Sequence, residues 1–415
     1  MPFKLLLSLL ATAIPAGAIE IQLDYSLDTS GFFNQPGSRE AMRACADFFE
    51  EILKDDLGAI DQVASGRPMN RWAARPRHPA TGNTIEIVNL VVPEDTLIIY
   101  LGARNLGGNT TGIASTGFSL SGDAAWFDTV LNRGQVRSFD RLDPEDRSVI
   151  LEPAIDYAPW GGSIAFDTTN SSGNARNWNF STTTAGGSGQ TDFVSVAMHE
   201  LCHILGIGQA DSWDNKIPDR SSASPVFFGE ASRNANGGVR PITQPGGGHW
   251  APTSPGPYTS PVFGSFGNVH GVPQQVLMNP SSTSGGSSLE SVTDLDIAGL
   301  IDIGWEVQLP TSINYTFAQN LSSVSGDVPT NTNFRYQLQE GNLQTPFVNV
   351  GPAMNGNGQS LTLIDQSPPE GQNFYRLAVT PLFDNSNGTA PPPNQSSFIT
   401  VVEDWVSNCD CEATH

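Results

Sequence analysis

The pattern of apolar positions opens as a strand and then changes period. From Ile19 to Tyr25 apolar and polar residues alternate, and from Ser38 to Leu53 the residues Ala41, Ala44, Cys45, Phe48, Phe49 and Ile52 recur at helical spacing. Thr84 to Leu90, Thr96 to Leu101, Ser148 to Leu151 and Ser163 to Phe166 are short β-branched or apolar runs between Gly- and Asn-rich loops, which predicts a mixed sheet. Asp192 is placed to cap a helix that buries Phe193, Val194, Ala197, Met198, Leu201, Leu205 and Ile207, with Gly206 and Gly208 as its stop.

Asp211 to Gly267 is Ser-, Gly-, Pro- and Asn-rich without periodicity and reads as a long loop, long enough to suspect a function for it. Order returns at Val276. Thr293 to Ile303 carries Leu295, Ile297, Ala298, Leu300 and Ile301 at helical spacing after a Ser291 or Thr293 cap, and Gly304-Trp305 ends it. Beyond Pro310 the alternating segments Phe334–Leu338, Ser360–Ile364, Phe374–Val379 and Ser397–Val402 predict a small all-β sandwich. The expected class is therefore α+β, with a main domain over residues 19–309 and a β-sandwich with a polar tail over 310–415.

Composition narrows the setting. At 415 residues two domains are expected, and 42 Gly and 30 Pro fit a loop-rich globular protein. Lys4, the apolar run from Leu5 to Ile14 and the small triplet Ala16-Gly17-Ala18 predict a secretory signal over residues 1–18, hence an extracellular or periplasmic protein. No later stretch is long and apolar enough for a membrane span. A formal charge of −22 argues against nucleic acid as partner and leaves calcium as a candidate ion. Four cysteines do not make a disulfide framework: Cys45 and Cys202 either pair across two helices or stay as buried thiols, and Cys409 and Cys411 sit in the polar tail.

The chemistry sits in Met198-His199-Glu200-Leu201-Cys202-His203. Histidines four apart on a helix present two imidazole nitrogens to one ion, and Glu200 between them can reach a water on that ion. Cys202 points about 100° away from His203 around the helix and reads as core. A catalytic zinc takes three protein ligands and a water, so a third ligand is needed.

Gly206 extends the motif to H-E-x-x-H-x-x-G, and Met278 in Val276-Leu277-Met278-Asn279-Pro280 resembles the methionine turn of the metzincin zinc proteases. The resemblance implies a metzincin-type catalytic domain and hydrolysis of protein or peptide substrates, with Zn²⁺ on His199 and His203, Glu200 as general base and acid, and Met278 as the apolar floor. The sequence departs from the commonest pattern at Gln209, where that family has His or Asp. His249, in Gly246-Gly247-Gly248-His249-Trp250, is the preferred third ligand, an arrangement similar to leishmanolysins; His270 and Asp211 are the alternatives.

Ala158 to Asp167 resembles the edge-strand region of matrixins, where the strand aligns substrate and calcium binds nearby, although Thr168-Thr169-Asn170 replaces the acidic run. The histidines of the matrixins' extra structural zinc are missing, as is their cysteine-switch propeptide. The competing expectation is a catalytically inactive, secreted adhesion or binding protein of metzincin shape, suggested by Gln209 and by a C-terminal domain that would bind a surface or polymer.

Overall fold

The computed structural model describes residues 19–136, 138, 154–252, 258, 274–280 and 290–308, and beyond them 318–319, 324–330, 332–341, 348–357, 360–367, 374–382 and 399–403. The proposed signal, the run Ser148–Leu151 and the candidate ligand His270 lie outside the described residues.

The chain is a mixed α+β protein. Its central sheet runs β1 (Glu20–Asp24), β4 (Thr96–Arg104), β7 (Gly161–Asp167), β5 (Gly112–Ser115), with the first three parallel and β5 antiparallel at the edge. β4 is buried on both faces, so alternate residues feed two cores. Leu97, Ile99 and Leu101 face the helices α1 (Ser38–Ile52) and α3 (Phe193–Ile204), while Ile98 and Tyr100 join Trp72, Leu120, Trp126 and Trp160 on the other side. That second core is closed by an antiparallel sheet containing β2 (Arg71–Ala74), β3 (Ile87–Val88) and β6 (Phe118–Gly122), followed by the single turn α2 (Ala124–Phe127). The predicted strand over 84–90 thus shortens to a two-residue pairing.

One correction bears on the site. The segment ending at Asp167 is not an edge strand: β7 is paired on both sides, and the edge belongs to β5, whose small residues carry little strand signal of their own. The carboxylate of Asp167 is buried against Arg176, 2.7 Å away, and accepts the amide of Leu106. A short parallel pair, β8 (Trp178–Asn179) and β9 (Thr191–Asp192), leads into α3.

The expected loop from Asp211 contains two short helices, α4 (Asp211–Asp214) and α5 (Glu230–Ala235). Trp213, Phe227 and Trp250 pack together in tilted and edge-on contacts with ring centroids 4.4–5.1 Å apart, so the loop has its own aromatic packing. α6 (Asp294–Asp302) starts at a capping box in which Thr293 and Asp296 satisfy each other's backbone amides.

The later residues form β10 (Ala318–Gln319), β11 (Val324–Pro329), β12 (Phe334–Gly341), β13 (Val348–Asn349), β14 (Met354–Asn355), β15 (Ser360–Asp365), β16 (Phe374–Pro381) and β17 (Ile399–Glu403). β10, β11 and β15 make one antiparallel sheet and β12 pairs with β13, β14 and β16 in another, with Val328, Leu363, Phe334, Tyr336 and Leu377 buried between them. β17, expected among these, pairs instead with β6, from Ile399 opposite Gly122 to Glu403 opposite Phe118. Among the described residues no helix is long and apolar enough to cross a membrane.

Candidate metal centre

α3 is buried along its whole length. Asp192 caps it, accepting the amide and hydroxyl of Ser195 at 2.9 Å each. At the other end Gly206 takes a φ of 105°, and the amides of Gly206 and Ile207 turn back onto the carbonyls of His203 and Cys202. A side chain there would also meet Tyr157, 2.6 Å from an added Cβ. The turn leads to Gly208, where an added Cβ would overlap the carbonyl of Gly248. Glycine is thus required on both sides of the approach that brings the loop of His249 to the helix.

His249 arrives beside the helix motif. Its Nε2 lies 3.1 Å from Nε2 of His199 and 3.2 Å from Nε2 of His203, and all three rings are buried. A tetrahedral zinc with Zn–N bonds of about 2.0–2.1 Å needs its nitrogens roughly 3.3–3.4 Å apart, so the three donors fit one ion. Among the described residues this is the one group of three or more His, Cys, Asp or Glu side chains close enough to share a metal. Burial lowers the pKa of His199 to about 4 and, helped by the neighbouring rings, that of His203 to about 3 and that of His249 well below its usual value. All three are neutral at pH 7, the form in which imidazole is a ligand.

The outer nitrogens are held too. His199 Nδ1 faces the carbonyl of Leu277 at 2.9 Å, His203 Nδ1 that of Ile207 at 2.8 Å, and His249 Nδ1 the side-chain amide of Gln244 at 2.7 Å. Glu200, 1% exposed, lies against β5: Oε1 would be 2.7 Å from a Cβ on Gly112, and the carboxylate accepts the amide of Ala114. Burial raises its pKa to about 8, and the Ala114 bond opposes that shift.

Met278 is fully buried in the predicted turn, and the turn acts as a clamp. The amides of Leu277 and Met278 donate to the two oxygens of Asp296 at 3.0 and 3.1 Å, Leu277 supplies the carbonyl behind His199, and Met278 accepts the amide of Trp250, next to His249. Asp296 was not singled out in the sequence, although the capping pattern Thr293-x-x-Asp296 marks it. Gln244 was missed as well, since nothing local distinguishes it.

The remaining candidates stand elsewhere. Gln209 and Asp211 line a separate pocket with Thr116, Tyr157 and Trp160, so Asp211 is not brought to the histidines. Cys45 and Cys202 are both buried free thiols, each pushed to a high pKa by burial. Comparisons of the chain with protein-family models, curated proteins and solved structures find no match.

Proposed function

We propose that the chain is a secreted zinc-dependent endopeptidase with a metzincin-type catalytic domain, in which His199, His203 and His249 hold the ion and Glu200 is general base and acid. The observation that carries this reading is the convergence of three buried, neutral imidazole nitrogens beside a buried carboxylate on the same helix. With three protein donors, a bound zinc would keep a place for water, as catalytic rather than structural zinc sites do. A zinc ion bound there supplies an acidified water and polarises the scissile carbonyl.

Glu200, fixed by the Ala114 amide and ionised once the charge of a bound cation offsets the burial that raises its pKa to about 8, would take the water's proton and hand it to the departing amine. The outer edge of β5 suits an extended peptide, which pairs with it by β-augmentation and lies across Glu200 at Gly112. A shallow cleft beside the histidines, lined by Thr111, Val196, Leu277 and Pro280, is where the residue next to the scissile bond would lie. Zinc-loaded protein is expected to digest denatured casein and to stop when zinc is chelated or when Glu200→Ala is introduced. Absence of cleavage with one zinc bound per chain would defeat the protease reading in favour of a binding protein.

A further inference from the structure

The three histidines are not held alike. Two of them set their outer nitrogen against a backbone carbonyl, which only accepts, so His199 and His203 carry hydrogen on Nδ1 and a lone pair on Nε2. His249 instead meets a primary amide. Nε2 of Gln244 lies 2.7 Å from its Nδ1, and a half-turn about the last side-chain bond puts Oε1 in the same place.

Two proton arrangements therefore fit the same heavy-atom positions. With the NH₂ inward, Gln244 donates into Nδ1, His249 keeps its hydrogen on Nε2, and that hydrogen points at the lone pairs of His199 and His203, 3.1 and 3.2 Å away. With the oxygen inward, His249 donates from Nδ1 and all three Nε2 atoms present lone pairs. Only the second arrangement can receive a cation.

We propose that Gln244 is a positioning residue whose side-chain amide turns over on metal uptake and so selects the ligand tautomer of His249; this rests on the reading of the three histidines as a metal site. The backbone around it leaves that rotation as the free coordinate. Gln244 N donates to the carbonyl of His249 at 3.0 Å, and Gly247 N donates to the carbonyl of Gln244 at 2.9 Å, closing the loop on itself with Gly246 and Gly247 at φ of 90° and 81°. From outside, Trp213 Nε1 holds the carbonyl of Gly247 at 2.7 Å and Arg220 Nε that of Gly246 at 2.8 Å. A neutral amide serves both arrangements, a carboxylate at this position would favour only the ligand tautomer, and a hydrocarbon would support neither.

The test is ¹H–¹⁵N NMR of the histidine-labelled protein with and without zinc, together with competitive zinc titration of wild type, Gln244→Glu, Gln244→Leu and His249→Ala. In the wild type, His249 is expected to carry its hydrogen on Nε2 without zinc and on Nδ1 with it. Gln244→Glu is expected to show the Nδ1–H form in both conditions. Gln244→Leu is expected to bind zinc about 10–100-fold more weakly while its circular dichroism stays unchanged. Nδ1–H already present in the zinc-free wild type, or wild-type zinc affinity in Gln244→Leu, overturns the role of Gln244 and leaves the metal site standing. No zinc uptake by the wild type, with His249→Ala indistinguishable from it, overturns both.

Discussion

The candidate metal centre has two halves built in opposite ways. His199, Glu200 and His203 come from one buried helix, capped by Asp192 and stopped at Gly206, so their relative positions follow from helix geometry alone. His249 comes 46 residues after His203, from a glycine loop whose shape depends on Gln244, Trp213, Arg220 and the turn at Met278. A helix delivers spacing cheaply in sequence, whereas the loop needs partners from four separate segments.

The largest expected effect tests the helix half alone. Glu200→Gln keeps the three donors and the helix, so zinc stoichiometry should be unchanged while kcat falls by about 10²–10⁴-fold, measured on a quenched peptide or casein. Retention of activity would remove Glu200 from the chemistry.

Next come two glycines that separate the halves. Gly206→Ala forces a side chain into a positive φ and against Tyr157, and should lower stability by at least about 2 kcal/mol, seen in denaturant unfolding. Gly208→Ala pushes on the carbonyl of Gly248 and should weaken zinc binding more than it weakens the fold. Equal losses of stability and metal affinity in both variants would mean that the two halves are one cooperative unit.

The smallest effect concerns the support behind the helix stop. Asp156 adjoins Tyr157, which backs Gly206, and burial pushes its pKa up to about 7, with Asp55 raised beside it. A folded pKa above the unfolded value of 3.8 means that its contribution is complete below about pH 4 and is lost as pH rises through about 7. Asp156→Asn should therefore flatten the fall of Tm between about pH 4 and 7, and an unchanged slope would place that pH dependence elsewhere.

The same division explains what could be read from the residues. α1 follows from apolar spacing, and α3 and α6 from spacing and caps, because helices are specified locally, and the helix motif with its Gly206 stop came with them. β5 and β6 were missed because Gly112–Ser115 and Phe118–Gly122 are strands by virtue of their partners, and the edge was assigned to β7 in their stead. α4 and α5 span four and six residues, too short for a 3.6-residue period to register. His249 was reachable by asking which histidine remained to complete a ligand set, whereas Gln244 and Asp296 act through contacts that only folding creates.

The pairing of β17 with β6 also sets a clock. Gly122 and Ile399 are matched although they stand 277 positions apart. At a synthesis rate of about 5–20 residues per second the edge of β6 waits on the order of 15–55 s for its neighbour to be made. Over that interval it is an open strand edge, able to pair with another chain, so this sheet is the last part of the N-terminal region to be finished and the one most in need of protection while the protein is being made.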